Sequence, residues 1–312
     1  MTEDYHIPVL LKEAVEALNV RPDGVYVDAT FGGGGHSRAV MERLGERGHL
    51  YAFDQDADAA QRAEGSEWKM QWEGRFTFIG ENFRHMKSFL RMHGVRQVDG
   101  VLADLGVSSH QFDTPERGFS TRFDGELDMR MDRRNPLTAR TVVNTYGEEE
   151  LARVLRLYGE LPNARQMAGA IAKARTEAEL VTTGDLKRAV GRHLPRGVEN
   201  KYLAMLFQAL RIEVGGELDA LREMLQGAAS LLPEGGRLVV ISYHSLEDRI
   251  VKNFFRSGNF DGEVEKDFYG NVLSPLKPVL KCRAGEAEVA ANSRARSAMM
   301  RVAERVRPEG NE

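Results

Sequence analysis

The sequence contains almost no cysteine: Cys282 is the single one among 312 residues. An intramolecular disulfide requires two cysteines, so the class of secreted, disulfide-stabilised proteins is excluded. The histidines are scattered, with no His-x-x-x-His spacing, and no Cys-x-x-Cys pair exists. We therefore predict no metal site.

The sequence also lacks a long hydrophobic run. Its best apolar stretch, Leu238–Ile241, is far shorter than the roughly 18 residues of a membrane span. The first five residues, Met1–Tyr5, are acidic and contain no apolar core, so we expect no signal peptide. A soluble cytoplasmic protein is the expectation.

Neither sign of charge is in large excess, because 43 Lys and Arg stand against 47 Asp and Glu, a formal net charge of -4. A long basic surface for non-specific binding of duplex DNA is therefore not expected, although a local basic patch is compatible with this composition. Hydrophobic residues make up 42% of the chain, enough for a packed core. The length indicates two domains, or one large domain with an insertion.

Strand-like and helical segments alternate in the first third of the chain. A helix is predicted over His36–Leu44. Runs of β-branched and aromatic residues predict four strands, Val25–Phe31, His49–Phe53, Phe76–Ile79 and Val98–Ala103. This alternation is typical of an α/β protein with a parallel sheet and helices on both faces.

From about Gln111 the pattern changes. Thr114–Arg140 is rich in charged residues, Gly and Pro, and Glu148–Gln226 is almost wholly helical in character. The alternation then returns with a helix at Glu217–Leu232, a strand at Arg237–Ser242, a helix at Leu246–Phe255 and a last strand within Ser297–Ala303. We therefore predict one α/β domain that is interrupted by a helical insertion.

Four consecutive glycines, Gly32–Gly35, follow the first predicted strand directly. Glycine lets backbone N–H groups approach a ligand closely, and the start of the next helix favours negative charge. Asp54 ends the next strand, 20 residues after Gly34, where a carboxylate can accept hydrogen bonds from both hydroxyls of a ribose. Asp28 and Asp104 end two further strands. The pattern predicts a nucleoside-containing cofactor at these strand ends.

The glycine row does not fit two common nucleotide-binding motifs. The dinucleotide fingerprint requires a third glycine where Ser37 or Arg38 stands, and a P-loop requires a lysine after Gly35. A nucleoside without a pyrophosphate fits better, and S-adenosylmethionine is the common one.

Other interpretations of the same residues stay open. The row could be a tight turn only, and Asp28 and Asp54 could each cap the helix that follows. His36 could be a helix-start residue bonded to the backbone. Phe83 could be a core residue, unless Asn82 brings it to the strand ends.

Seven motifs follow one another along the chain, namely His6–Leu11, Asp28–Ser37, Asp104–Ser109, Arg117–Ser120, Leu127–Asp132, Ile241–Arg249 and Asn292–Ala298. In this order they resemble the bacterial small-subunit ribosomal RNA cytosine-N4 methyltransferases of the MraW/RsmH type, from about Tyr5 to Arg305. Two departures lie in or beside the insertion. Ala204-Met205-Leu206 stands where many members have Ala-Thr-Arg, and Gly215-Gly216 stands where an asparagine is common.

The resemblance implies a class I S-adenosylmethionine-dependent methyltransferase fold, Rossmann-like with a mostly parallel sheet and an inserted helical domain. It implies a methyltransferase domain in two parts, 1–112 and 216–312, and a mainly helical substrate-recognition domain at 113–215. It also implies transfer of a methyl group from S-adenosyl-L-methionine to N4 of one cytosine in the decoding region of 16S rRNA, within the small ribosomal subunit. The implied cofactor ligands are Gly34, Gly35, His36, Asp54, Phe83, Asp104 and Gln111.

Asp104 is the predicted catalytic residue, because the methyl group sits near the end of the fourth strand in this fold. Its carboxylate could accept a hydrogen bond from the amino end of the cofactor or from the cytosine amine, and the sequence leaves both open. Amino-methyltransferases often carry Asp/Asn-Pro-Pro-Tyr/Phe here, with the aromatic ring stacked on the flipped base. This chain has Asp104-Leu105-Gly106-Val107, so another group must hold the cytosine.

The candidates for substrate binding are Asp128, Arg130, Tyr243, His244 and Arg294. Tyr243 could equally be packed while His244 caps the next helix with Ser245, and Asp128 and Arg130 could belong to a solvated charge ladder. A basic cluster in the insertion, and Arg296 beside Arg294, could bind phosphates or be ordinary solvated surface; the cluster is Lys187, Arg188, Arg192 and Arg196.

Rival functions stay open on the sequence alone. The protein could methylate an amino group in DNA or in another RNA, or it could bind rRNA and sense the cofactor without catalysis. An oxidoreductase is disfavoured by the missing third glycine. The oligomeric state is open as well, with a homodimer as one possibility.

Overall fold

The structure is a computed structural model that describes residues 8–270 and 272–306. Met1–Tyr5, on which the expectation about a signal peptide rests, and His6 and Ile7 of the first motif lie outside the described residues. The chain divides into two compact units. The first unit comprises the chain up to Gly106 together with the chain from Leu218 onward, and the second comprises Val107–Glu217.

The first unit is built on a sheet that has seven strands in the described residues. The strands are β1 Val25–Asp28, β2 His49–Phe53, β3 Phe76–Ile79, β4 Gly100–Asp104, β5 Arg237–Ser242, β6 Leu276–Arg283 and β7 Met299–Arg305. Their order across the sheet is β3-β2-β1-β4-β5-β7-β6, and β7 runs antiparallel to both of its neighbours while β1 to β5 are parallel. The predicted class, a Rossmann-like fold with a mostly parallel sheet, is confirmed.

Helices accompany this sheet in the first unit, and a separate set of helices makes up the second unit. In chain order they are α1 Leu11–Leu18, α2 Gly35–Met41, α3 Ala57–Ala63, α4 Ser66–Gln71, α5 Met86–Met92, α6 Ser109–Asp113, α7 Ala139–Thr145, α8 Glu148–Leu157, α9 Ala164–Glu177, α10 Thr183–Val190, α11 Glu199–Gly215, α12 Glu217–Leu231, α13 Ser245–Ser257 and α14 Glu286–Ala291. Within residues 8–270 and 272–306, no helix combines the length and the apolar character that crossing a membrane requires.

The central strands are buried on both faces, as is typical of parallel sheets. In β4, Val101, Leu102 and Ala103 are fully buried, and so is Leu238–Ile241 in β5. Strands of this kind are short continuous apolar runs in a sequence. The predicted bounds of β2, β3 and β5 are confirmed to the residue.

β6 is the strand that the sequence did not predict. It lies at the edge of the sheet, and Lys277–Lys281 is exposed. Its pairing with β7 contains a register shift between Pro278 and Leu280, so no regular alternation of apolar and polar residues marks it. Lysine and proline are typical of edge strands, where they discourage pairing with a further chain.

The second unit has its own apolar core. The helical character predicted within Glu148–Gln226 is confirmed, and α8, α9 and α11 each bury one apolar face, with Leu155, Ile171 and Leu210 fully buried. The predicted insertion at 113–215 lies within this compact unit, whose bounds are a few residues wider on both sides.

Candidate active site

Asp28 lies at the carboxyl end of β1 and is almost completely buried, with 1% of its surface exposed. Its Oδ2 accepts a hydrogen bond from the Ser37 hydroxyl (2.7 Å), and its Oδ1 accepts one from the N–H of Thr30 (3.0 Å). The residue that caps α2 is Gly34, so Asp28 is not the helix cap that the sequence allowed. It ties the end of β1 to α2 across the glycine row.

Asp54 follows β2 and accepts two backbone hydrogen bonds. Its Oδ2 accepts from the N–H of Gly32 (2.7 Å), and its Oδ1 accepts from the N–H of Asp56 (2.9 Å). Burial raises the pKa of Asp54 to about 6, although these two hydrogen bonds oppose the shift. Asp56, and not Asp54, caps α3 by accepting from the N–H of Asp58. Each oxygen of Asp54 keeps a second lone pair for a ligand hydroxyl.

Two glycines of the row, Gly34 and Gly35, are required by the close packing of neighbouring side chains. Gly34 has φ +78, a conformation that favours glycine, and a Cβ there would lie 2.6 Å from the Trp68 ring and 2.9 Å from the Phe31 ring. A Cβ at Gly35 would lie 2.2 Å from Cγ of Pro8. The sequence interpretation explained these glycines by the close approach of a ligand, whereas close packing within the protein already requires Gly34 and Gly35.

Replacing Gly34 by Ala is expected to destabilise the fold by about 2–5 kcal/mol, because left-handed strain and overpacking add. Gly74→Ala is the matched control, because Gly74 has φ +73 and open space where a Cβ would lie. That variant should lose only the strain component. Urea unfolding of both variants measures the difference, and equal losses would show that the contact with Phe31 and Trp68 costs nothing.

His36 lies in the first turn of α2 and is buried, with 5% of its surface exposed. Burial lowers the pKa of His36 to about 4, although a hydrogen bond with the backbone of Val9 acts to raise it. The imidazole is therefore neutral at neutral pH, and its Nδ1 lies 3.7 Å from Oδ2 of Asp104. Its Nε2 is buried and has no hydrogen-bond partner within the described part of the chain. The expected backbone contact exists, and one ring nitrogen is left for a ligand.

Asp104, at the end of β4, is held from two sides. Its backbone N–H donates to Oγ1 of Thr30 (2.7 Å), and its Oδ1 accepts a hydrogen bond from the Tyr243 hydroxyl (2.7 Å). Burial raises the pKa of Asp104 to about 7; the bond from Tyr243 opposes this shift, and the charges of Asp28 and Glu247 add to it. A carboxyl group with such a pKa can both hold and release a proton near neutral pH.

The raised pKa of Asp104 should lower the stability of the folded protein as the pH rises from about 4 to about 7, because only the folded state still binds the proton in that range. Asp104→Asn cannot ionise, so we expect it to unfold at a higher temperature than the wild type at about pH 8. The difference should vanish below about pH 3, where the pH lies under the pKa values of both the folded and the unfolded state. Thermal unfolding followed by circular dichroism tests this, and a difference independent of pH would contradict it.

His244 caps α13, as the alternative interpretation held. Its Nδ1 accepts from the N–H of Glu247 (3.4 Å), and Oε2 of Glu247 accepts from the N–H groups of Tyr243 (2.9 Å) and His244 (3.3 Å). The partner in the cap is therefore Glu247 and not Ser245. Glu247 is 3% exposed and was missed as a site residue, although the spacing from His244 is that of a capping box.

Phe83 stands in a 3-10 turn, Phe83–His85, just beyond β3, and is half-buried. Asn82 caps this turn by accepting from the N–H of Arg84, and its side-chain amide donates to Oε1 of Gln55 (2.8 Å). Because Gln55 directly follows Asp54, this bond joins the ends of β2 and β3. Asn82 thus fastens the turn that carries Phe83 to the strand ends.

Gln111 belongs to the second unit and is 5% exposed. It forms a capping box with Ser108 at the start of α6: its N–H donates to the Ser108 hydroxyl (3.2 Å), and its Oε1 accepts from the N–H of Ser108 (2.9 Å). In the first unit, Arg294 is half-buried within the 3-10 turn Ser293–Ser297.

Asp128 and Arg130 form a bidentate ion pair with distances of 2.7 Å and 3.1 Å. Arg130 also donates to the carbonyls of Arg133 and Asn135. The pair is partly buried rather than a solvated charge ladder, and it organises the loop that precedes α7. Its place in substrate binding stays a prediction.

Arg117 was missed as a structural residue. It is 1% exposed, donates to the carbonyls of Arg130 (2.9 Å) and Met131 (3.3 Å), and lies over the Phe119 ring at 5.8 Å. An arginine buried this deeply needs acceptors around it, and here the loop supplies them. The motif Arg117–Ser120 contained the residue, but no local pattern indicated its burial.

The basic cluster of the second unit separates into two kinds of side chain. Lys187 donates to the carbonyl of Thr121 (3.1 Å), and Arg188 pairs with Asp185. Arg192 and Arg196 are exposed, and no ion pair is found for either within residues 8–270 and 272–306. These two arginines therefore differ from Arg188, whose side chain is 72% exposed but paired with Asp185.

Known proteins match the chain over almost its full length. The model of the MraW methylase family matches residues 3–306. The ribosomal RNA small subunit methyltransferase H of Flavobacterium johnsoniae is 54% identical over 306 residues, which cover 98% of this chain and 99% of that protein. Proteins of the same name are 54% identical in Phocaeicola vulgatus (96% of this chain, 97% of that protein) and 53% identical in Bacteroides thetaiotaomicron (96% and 97%).

The family match includes both parts of the first unit and the whole of the second. The predicted family resemblance is confirmed, and so is S-adenosyl-L-methionine as the cofactor. Because the family model matches residues 3 to 306 and relatives share more than half of the residues, this chain belongs to the MraW methylase family.

Proposed function

We propose that this protein transfers a methyl group from S-adenosyl-L-methionine to N4 of one cytosine in the decoding region of 16S rRNA, within the small ribosomal subunit. The observation that carries the proposal is the buried carboxyl group of Asp104 at the end of β4, held by Tyr243 and raised in pKa to about 7. The names of the relatives, which specify small-subunit ribosomal RNA, support the substrate class. The choice of cytosine N4 rests on the motifs of the sequence.

The cofactor fits the residues at the strand ends. Asp54 would bind the ribose hydroxyls with its remaining lone pairs, and Phe83 would lie beside the adenine. The buried Nε2 of His36 lacks a partner within the described residues, as expected of a group that a ligand satisfies. Gly34, Gly35 and Gln111 complete the proposed ligands, and Asp104 is the last of them.

The reaction needs positioning more than activation. Bound S-adenosyl-L-methionine supplies a methyl group on a positively charged sulfur, which is a strong methyl donor. The N4 amine of cytosine is a weak nucleophile because its lone pair is delocalised into the ring, so holding N4 in line with the methyl group is worth several kcal/mol.

Asp104 would take the proton that N4 loses. As N4 is methylated it would gain a positive charge, and one of its protons would pass to Oδ2 of Asp104 and then to solvent. Such a base works best when its pKa lies near the working pH, and burial gives Asp104 a pKa of about 7. Its Oδ1 is already engaged by Tyr243.

Recognition of the RNA is assigned to the insertion predicted at 113–215, with 1–112 and 216–312 as the methyltransferase parts. Arg192 and Arg196 are the proposed phosphate contacts, since Lys187 and Arg188 are engaged within the unit. The proposed substrate-binding set remains Asp128, Arg130, Tyr243, His244 and Arg294. Because the chain carries a net charge of -4, we expect a shaped ribosomal particle as substrate rather than RNA held by charge alone.

The test is methyl transfer from radiolabelled S-adenosyl-L-methionine to small subunits that lack the modification. Naked 16S rRNA and duplex DNA are run in parallel, and the product is digested to nucleosides and identified by mass spectrometry. Label in N4-methylcytidine from the subunits is the expected result. Label in another nucleoside or only in DNA would overturn the substrate, and cofactor binding without any transfer would favour the non-catalytic alternative.

A further inference from the structure

Tyr243 lies in a place from which it can control Asp104. The parallel pairing of β4 and β5 sets Asp104 opposite Ile241, so Tyr243 follows two residues beyond that register position. From there its hydroxyl reaches Oδ1 of Asp104 at 2.7 Å. The two residues are 139 positions apart in the chain, and the contact exists only because the two strands are neighbours.

The ring and the backbone of Tyr243 are both restrained. Its N–H donates to Oε2 of Glu247 (2.9 Å), a buried carboxylate at the start of α13. A Cβ at Gly106 would lie 3.5 Å from Cδ2 of Tyr243, and Gly106 has φ +97. The turn after β4 thus leaves room for no more than one added carbon beside the ring, and Tyr243 also packs against the apolar core of the first unit. Its hydroxyl has little freedom to leave Asp104.

The direction of the hydrogen bond follows from the burial of the Tyr243 hydroxyl and from the charge beside it. Burial raises the pKa of the Tyr243 hydroxyl well above its ordinary value, and the charge of Asp104 adds to the shift. The hydroxyl therefore stays protonated and donates to Asp104. On the other side, His36 is neutral because burial lowers its pKa to about 4, and its Nδ1 stands 3.7 Å from Oδ2. Oδ1 is engaged and Oδ2 is the oxygen left for a further partner.

We propose that Tyr243 is a positioning residue for the methyl-transfer reaction: its hydroxyl holds the carboxylate of Asp104 by Oδ1, so that Oδ2 is presented to the amine that is being methylated. The proposal rests on the proposed function, because it requires Asp104 to act at the methyl acceptor. A direct contact of Tyr243 with the cytosine is not needed.

Tyr243→Phe removes the hydroxyl and keeps the ring. A hydrogen bond to a charged group is worth about 1.5–3 kcal/mol, which corresponds to a shift in pKa of about 1–2. We therefore expect the midpoint of the kcat–pH profile to move upward by at least about one pH unit and kcat at neutral pH to fall about tenfold. KM for S-adenosyl-L-methionine should change little, whereas a merely structural role would leave the pH midpoint in place.

The matched control is Tyr26→Phe. Tyr26 is also buried in the first unit, and its hydroxyl accepts from the N–H of Arg21 (2.8 Å). Tyr26 lies near the amino end of β1, whereas Asp104 and Tyr243 lie at the carboxyl ends of their strands. This variant loses a buried hydroxyl as well, but the pH profile should stay that of the wild type. If Tyr243→Phe fails to fold, 3,5-difluorotyrosine at position 243, a stronger donor, should move the midpoint in the opposite direction.

A measurement without RNA separates this proposal from the proposed function. The carboxyl carbon of Asp104 is titrated by carbon-13 NMR in the wild type and in Tyr243→Phe, with Asp104→Asn to assign the signal. The charged or titratable neighbours that bear on it are Asp28, His36, Tyr243 and Glu247, and all remain in place except Tyr243. An upward shift in both the NMR titration and the kcat–pH profile supports the proposal. An unmoved carboxyl titration overturns it, as does an unmoved kcat–pH profile, and absence of methyl transfer by the wild type would instead overturn the proposed function.

Discussion

Replacing Asp104 by Asn is expected to slow methyl transfer by about 10²–10⁴-fold, the usual contribution of a positioned proton acceptor. The amide oxygen of Asn can still accept the hydrogen bond from Tyr243, so the local structure should survive. What is lost is the ability to take a proton from N4. Single-turnover transfer at saturating S-adenosyl-L-methionine measures this step without the contribution of product release.

Asp99→Asn is the matched control for this variant. Asp99 directly precedes β4, at the opposite end of the same strand, and its carboxylate accepts from the N–H of Val25 (2.8 Å) and pairs with Arg21. The control variant should transfer methyl at nearly the wild-type rate. A wild-type rate for Asp104→Asn would exclude Asp104 as the proton acceptor.

Replacing Asp54 by Ala is expected to weaken cofactor binding by about 10²–10⁴-fold, because two hydrogen bonds to a charged group, each worth about 1.5–3 kcal/mol, are lost. The N–H groups of Gly32 and Asp56 lose their acceptor too, which loosens the loop that holds the ribose. The rate at saturating cofactor should fall much less. Calorimetric titration with S-adenosyl-L-methionine measures the dissociation constant directly.

Asp99→Ala serves as the control here, since it also removes a carboxylate that accepts a backbone N–H. It should leave the dissociation constant unchanged. If Asp54→Ala bound the cofactor within about twofold of the wild type, the ribose role of Asp54 would be wrong, and its raised pKa would reflect burial in the loop alone.

The parallel part of the fold was predictable because its signals are local. Strands that are buried on both faces carry continuous apolar residues, and β5 therefore stands out as a short run between polar turns. β3, at the edge of the sheet and only partly buried, stands out by its aromatic residues Phe76 and Phe78. The helices of the second unit likewise carry stripes at helical spacing, which local sequence displays. β6 lacked such a signal because its exposed residues are held in a strand by pairing with β7.

The residues of the candidate site likewise fall into those that local sequence predicts and those that it does not. The carboxyl ends of parallel strands meet at one edge of a sheet, so the positions of Asp54 and Asp104 followed from the strand pattern. The strand pattern did not predict three other features: the hydrogen bond from Tyr243 to Asp104, the burial of Arg117 and the packing of Gly34 against Trp68. Each joins residues that are distant in the chain or buried by segments from elsewhere.

By itself, therefore, the sequence determined the α/β pattern with its helical interruption, the strand-end aspartates and the family resemblance, because periodicity and motif spacing are properties of neighbouring residues. Only the tertiary structure decided that the buried carboxylate of Asp28 links β1 to α2, that His244 and Glu247 together cap α13, and that the Tyr243 hydroxyl donates to one oxygen of Asp104. These roles depend on which polar atoms are brought together away from water, and burial of that kind also sets the raised pKa of Asp104.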